Sequence, residues 1–228
     1  MTAAVATYNI HACIGSDGRF DPNRVLRVIQ ELDVDVLALQ EVEHHAVDGI
    51  DLLDYFAAES GLQAIPGPTL LRGTRQYGNA LLSRFPPVSL NRADLSVPGR
   101  EARGALDALF DCGGKKLQVV ATHLGLKPRE RREQVRRVLP LFEPEAADVS
   151  VLMGDLNEWF LWGRISHWLR RRFQATPYHA TFPSRWPLLA LDKIWVNPAD
   201  RVKRFEVHRS RVARRASDHL PLKAVIEL

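Results

Sequence analysis

In the stretch VLMGDLNEW, Val151–Trp159, an apolar run and a glycine lead straight into Asp155 and Asn157, a carboxylate and an amide two positions apart. The pattern recurs. Val5–Ile10 carries Asn9 and leads to His11; Val34–Leu39 ends in Gln40-Glu41; Leu117–Thr122 ends in His123; Asp192 precedes Ile194–Val196; and Ser217-Asp218-His219 precede the last apolar run. Carboxylates with amide and water ligands suit a hard divalent cation, Mg2+ or Mn2+, which prefers oxygen donors and often keeps several waters. Such an ion beside a carboxylate and two imidazoles is the equipment for in-line attack of water on a phosphate ester, where positioning and charge neutralisation supply most of the acceleration. Plainer roles are open to each residue: Asp155, Asn157 or Asp218 as a turn former or helix cap, Asp192 as an arginine's partner, His123 or His219 as a hydrogen-bonded structural imidazole. Their joint occurrence at the ends of successive apolar runs favours chemistry.

The elements that must position these groups are short. Besides the runs above, Asn79–Leu82, Leu106–Phe110, Val149–Met153 and Ala224–Leu228 are rich in apolar residues and bounded by turn formers, so they read as strands. Asp21–Leu32 has helical periodicity, with Pro22 where a first turn tolerates it and Val25, Leu26, Val28, Ile29 and Leu32 on one face. Pro128–Phe142 and Ile165–Phe173 are two further helices, arginine-rich away from their leucines. The Pro-rich pieces Ile65–Thr69 and Thr181–Pro187 read as ordered loops. Strands and helices interleave with no repeat or linker, which predicts α/β layers around one core and a single domain over residues 1–228. In such layers functional groups gather at strand ends.

Composition narrows the partners. With 46% hydrophobic and 25% charged residues among 228, the chain is neither disordered nor membrane-spanning in character. A formal net charge of +4 tilts it toward anionic partners without choosing among nucleic acid, lipid headgroups and phosphorylated metabolites. Its two cysteines, Cys13 and Cys112, make neither a disulfide framework nor a zinc motif. The start, MTAAVATYNIH, has no basic segment followed by a long apolar run, and the expected location is cytoplasmic.

Seven blocks in order, TYNIH at Thr7–His11, LALQEV at Leu37–Val42, GNALLSRFP at Gly78–Pro86, ATHLG at Ala121–Gly125, GDLN at Gly154–Asn157, LDKIWV at Leu191–Val196 and SDHLPL at Ser217–Leu222, resemble the endonuclease/exonuclease/phosphatase superfamily of metal-dependent phosphoesterases. The segment TFPSRWPLLALDKIWV is more similar to the bacterial YbhP-like hydrolases than to abasic-site endonucleases. The resemblance implies a DNase I-like four-layer α/β/β/α sandwich, two packed mixed β-sheets flanked by helices, with the site at one end. It implies Glu41 as the main ligand of a Mg2+ or Mn2+ ion, with Asn9 beside it and Asp218 supporting the metal or its waters. By the same resemblance Asp155 orients or deprotonates the attacking water, Asn157 holds the phosphate or that water, and His219, oriented by Asp192, contacts the phosphate with His123.

Outside those blocks, Arg103 could bind a substrate phosphate bidentately or make a surface salt bridge, and His11 could line the pocket or serve a turn. The arginine clusters Arg129–Arg137, Arg170–Arg172 and Arg209–Arg215 suit a nucleic-acid backbone or a solvated face alike. Tryptophans and leucines mixed with arginines in Trp159–Phe173 suit either a helix resting on an anionic membrane or a stripe packed on the sheet. The substrate expected is a small phosphoester or lipid headgroup, with DNA or RNA as the alternative, and a non-catalytic phosphate-binding module third.

Overall fold

The computed structural model describes residues 1–43, 46–47, 49–72, 75–143, 146–160, 162–173 and 178–228. The chain begins with β1 (Thr2–Asn9), passes through α1 (Pro22–Leu32) to β2 (Val36–Glu43), and after the short pair β3 (Ala46–Val47) and β4 (Ile50–Asp51) forms α2 (Leu52–Ser60). A hairpin of β5 (Gln63–Arg72) and β6 (Arg75–Ser83) leads to β7 (Pro87–Asp94), β8 (Gly104–Asp111) and β9 (Lys116–His123). Then come α3 (Pro128–Val138), β10 (Val149–Asp155), α4 (Arg164–Phe173), β11 (Asp192–Asn197), β12 (Val202–Val207), α5 (Ala213–Ala216) and β13 (Leu222–Glu227).

Two mixed sheets result. One runs β12-β13-β1-β2-β6-β5, the other β11-β10-β9-β8-β7, and each has a single parallel pair, β1 with β2 and β9 with β10. Val5, Val36, Ala38 and Leu81 of the first sheet meet Leu106, Val119, Val151 and Ile194 of the second in a common core between them. The strands facing that core are buried almost throughout, which is why their sequences are near-continuous apolar runs rather than alternating ones. On the outer face of the first sheet α1 lays Val25, Leu26, Val28, Ile29 and Leu32, each such buried side chain stabilising by roughly 1.5–3 kcal/mol. Asp21 caps this helix, its side chain accepting from the Arg24 backbone N–H at 3.2 Å, and Pro22 begins it. On the far face of the second sheet α3 and α4 bury Val135, Val138, Ile165, Leu169 and Phe173. The outcome is the four-layer α/β/β/α sandwich.

Some sequence expectations need correction. Ile65–Thr69 is strand, not loop: it lies in β5, at the edge of its sheet, where Pro66 and Pro68 remove no hydrogen bond that a neighbour needs. β7 and β12 are also edge strands, in which polar and apolar residues mix and none is fully buried, so no apolar run announces them. The Trp159–Phe173 segment divides. Ile165, Leu169 and Phe173 are core and Trp168 packs beside it, whereas Trp159 and Trp162 precede the helix and are exposed; Leu161 lies outside the described residues. No described helix is long and apolar enough to cross a membrane.

Candidate active site

Strand register does the first work of assembly. Asp155, the last residue of β10, is aligned with His123 at the end of β9 on one side and with Asp192 at the start of β11 on the other, so the three side chains form one row across the sheet. Gly154 permits this. Its φ of +149° disfavours any L side chain, and a Cβ there would lie 1.8 Å from the Thr122 carbonyl oxygen. In the other sheet Asn9 is aligned with Gln40, and the register of β2 against β6 slips between Leu39 and Val42. That bulge turns Glu41 out at φ +58°, a left-handed conformation unusual for glutamate and of the kind held in place at functional sites. Asn157 has φ +51°.

Asp155 is the hub and is buried. Its Oδ1 accepts from the Asn157 backbone N–H at 2.9 Å; its Oδ2 accepts from Asn9 Nδ2 at 3.2 Å and faces His123 Nε2 at 3.5 Å and His219 Nε2 at 3.7 Å. The same Asn9 nitrogen donates to Glu41 Oε1 at 3.0 Å, so one amide joins carboxylates that the two sheets supply. Burial raises Asp155 above the usual carboxylate range, to about 6, with the Asp192 charge adding and His219, Asn157 and Asn9 opposing.

His219 follows the Ser217-Asp218 turn, in which Ser217 Oγ donates to the Asn9 carbonyl oxygen at 2.7 Å and accepts from the His219 backbone N–H at 3.2 Å. Its Nδ1 lies 2.8 Å from Asp192 Oδ2, which also accepts from Thr181 Oγ1 at 2.6 Å. Burial works to lower this imidazole, but the charge and hydrogen bond of Asp192, with Asp155 and Asp218, outweigh it and hold His219 up at about 10. The surrounding carboxylates thus favour the imidazolium, with Nδ1 toward Asp192 and Nε2 facing Asp155.

His123 is held from both ends. Arg103, itself buried and 3.2 Å from Glu101, places Nη1 3.1 Å from His123 Nδ1. A guanidinium only donates, so Nδ1 accepts and the ring proton sits on Nε2. Asn157 Nδ2 donates to the Leu124 carbonyl oxygen at 2.9 Å and stands 3.1 Å from that same His123 Nε2. The carbonyl can only accept, which fixes the amide's orientation and sets a donor against a donor. An acceptor oxygen beside the pair would take both protons.

Asp218 and His11 occupy the rim. Their side chains are about a third or more exposed; His11 Nδ1 lies 3.0 Å from the Ile14 carbonyl oxygen and 3.7 Å from Asp218 Oδ1. The His11 backbone N–H donates to Asn9 Oδ1 at 3.0 Å. Sequence reasoning overlooked Thr181 and Ser217 as positioning groups, although both stand in quoted blocks, because a hydroxyl one strand away from its carboxylate has no local signature. It also overlooked α3: Gln134 accepts from the Gly125 backbone N–H at 2.8 Å and Arg131 donates to the Leu126 carbonyl oxygen at 2.7 Å, bracing the turn after His123.

A divalent cation fits the donor set. Ligand atoms of Asp155, Asp192 and His219 lie within 4.8 Å of one another, the one such group of three among the described residues, and Asp192 Oδ1 is buried with no hydrogen-bond partner. This group differs in membership from Glu41, Asn9 and Asp218. Glu41 joins it through Asn9, and His219 turns its Nδ1 to Asp192, so the oxygen donors, carboxylate and amide, are the ones that suit a hard ion.

Comparison with known proteins agrees with this architecture. Residues 6–219 match the model of the endonuclease/exonuclease/phosphatase family, and the chain belongs to that family, whose members hydrolyse phosphoester bonds. It is 30% identical to the protein YbhP of Escherichia coli (strain K12), over 98% of this chain and 96% of that one. Among solved structures it is similar to an endonuclease/exonuclease/phosphatase from Beutenbergia cavernae, with TM-score 0.78 and 25% identity over all of this chain and 72% of the other. A mannosyl-6-phosphatase of Bacteroides thetaiotaomicron shares the fold with TM-score 0.77 and 19% identity, covering 99% of this chain and 100% of that one.

Proposed function

We propose that this protein is a Mg2+- or Mn2+-dependent phosphoesterase that hydrolyses a phosphodiester or phosphomonoester in a small molecule or lipid headgroup by in-line attack of an activated water. The observation that carries this reading is the convergence of N–H groups of Asn9, His123, Asn157 and His219 on and around the buried Asp155 carboxylate. Non-bridging phosphate oxygens are acceptors that such a cluster of donors suits. Donors fixed by sheet register stabilise the charge that grows on those oxygens without reorganising.

A cation held by Glu41, Asn9 and Asp218 would neutralise phosphate charge and acidify a bound water. This chain's own groups do the rest. Asp155, a carboxylate at neutral pH, orients the attacking water and takes its proton. His219, an imidazolium buttressed by Asp192 and Thr181, donates through Nε2 to the phosphate or to the departing oxygen. Arg103 keeps the His123 proton on Nε2, where substrate meets it. The mannosyl-6-phosphatase with the same fold supports a small phosphoester as substrate.

Purified protein is to be incubated with bis-p-nitrophenyl phosphate, p-nitrophenyl phosphate, sugar phosphates, phospholipids and nucleic acids, each with Mg2+, Mn2+ or EDTA. Metal-dependent release from a small or lipid phosphoester is expected. Turnover confined to DNA or RNA would move the assignment to a nuclease, and turnover of nothing with either metal would end the catalytic reading.

A further inference from the structure

Beside the candidate site, outside the donors described above, a cleft of about 690 Å³ is lined by Arg24, Arg27, Arg185, Arg211, Arg214 and Arg215. Three segments distant in sequence bring them together: α1, the loop after Phe182 and the turn before His219. Arg24 is neutralised by Asp17 and Asp21, at 2.9 and 2.8 Å. Arg214 donates to the Arg185 carbonyl oxygen at 3.0 Å, and Arg185 to Ser16 Oγ at 3.3 Å, which fixes these arms without removing charge. The guanidiniums of Arg27, Arg211 and Arg215 have no partner among the described residues. Six positive groups thus converge on one concavity against two carboxylates.

Independent surface arginines would splay apart to relieve repulsion, since like charges a few ångströms apart still repel by about 1 kcal/mol in water. Here the backbone holds them close. Ser16 N donates to the Arg215 carbonyl oxygen at 3.1 Å and Ser16 Oγ to that of Arg214 at 3.0 Å. Gly15 makes the approach feasible, because a Cβ there would stand 2.4 Å from the Arg215 carbonyl oxygen and 2.9 Å from the Arg24 guanidinium. The cleft is also tied to the site: Ser184 N donates to the Asp218 carbonyl oxygen at 2.7 Å, and Ser184 Oγ to that of Ser217 at 2.8 Å.

We propose that this arginine cleft binds clustered phosphate groups, two or more closely spaced phosphate charges on one ligand, either free in solution or on the headgroup of an anionic lipid. Guanidiniums match phosphate bidentately, and several free ones in one concavity select charge density over a lone phosphate. Trp186 and Leu188, 79% and 74% exposed, stand on the same loop as Arg185, so a bilayer surface meets both apolar and cationic groups there. Binding at the cleft does not depend on the catalytic reading.

The test uses full-length protein, with sodium tripolyphosphate by titration calorimetry and phosphatidylcholine vesicles with or without cardiolipin, which carries two phosphates, by flotation. Arg211→Glu with Arg215→Glu is expected to weaken the bound component roughly a hundredfold, about tenfold for each guanidinium lost, while His219→Ala leaves it in place. Arg27→Ala with Arg211→Ala serves as a milder pair, and unchanged melting temperatures show that either pair folds. Tripolyphosphate binding identifies a soluble ligand; binding to anionic vesicles alone, weakened by Trp186→Ala, identifies a lipid headgroup. No binding to either, binding insensitive to both arginine pairs, or binding lost only in His219→Ala overturns the proposal.

Discussion

At the end of the five-stranded sheet, His123, Asp155 and Asp192 stand in one row because three strands end in register; at the end of the six-stranded sheet, Asn9 is placed by strand alignment but Glu41 by a bulge and a left-handed residue. The row is buried and set by strand register, whereas Glu41 is partly exposed in a left-handed conformation. The difference matches the two duties proposed for them. Groups that meet a transition state profit from fixed geometry, and a ligand that must admit an ion and its waters profits from access.

Breaking the row, or the His219 that rests on its Asp192, is expected to have the largest effect. His219→Ala, or Asp192→Asn, which removes the charge that holds the imidazole protonated, is expected to lower kcat by roughly 10²–10⁴-fold with melting temperature nearly kept. Steady-state kinetics beside thermal melts check this, and near-normal turnover in both variants would contradict the assigned roles. Glu41→Gln tests the other region. The metal concentration for half-maximal rate is expected to rise by about tenfold or more, the loss of one carboxylate from a site of few ligands, while kcat at saturating metal falls less. An unchanged metal requirement would remove Glu41 from the ion.

The pH profile sharpens the comparison further. Burial holds the proton on Asp155 up to about 6, and the reaction needs the carboxylate, so activity is expected to fall as pH drops through about 6. Raising Mg2+ or Mn2+ beside Asp155 favours the ionised form and is expected to move that limb to lower pH; a limb fixed at every metal concentration would mean that the ion binds too far away to act on this carboxylate. Smallest is Thr181→Val, which removes a 2.6 Å hydrogen bond to Asp192, worth about 1 kcal/mol, and is expected to lower kcat by about fivefold with KM unchanged.

How much of this is legible in sequence follows the same division. A strand that begins or ends in register leaves a local trace, an apolar run with a polar group at its edge, and Asn9, His123, Asp155 and Asp192 are singled out that way. Glu41 is found only because a similar run precedes it; nothing in LALQEV reveals the bulge, which depends on the slip of β2 against β6. Arg103, in the loop just before β8, reaches His123 Nδ1 at the end of β9, and Thr181 reaches Asp192 from a loop, so neither has a pattern in its own neighbourhood. β5, β7 and β12 escape because edge strands tolerate proline and polar residues that central strands do not. The arginine cleft is least legible of all, since its parts lie on α1, the loop after Phe182 and the turn before His219.

The most direct measurement is hydrolysis of bis-p-nitrophenyl phosphate by Asp155→Asn beside the unaltered protein, at saturating Mg2+ and Mn2+, with melting temperatures taken on the same samples. An amide cannot accept the water's proton, so a fall of about 10³-fold or more in kcat is expected in a variant that remains folded. Turnover within a few-fold of the unaltered protein would show that the carboxylate at the centre of the row takes no part in the chemistry.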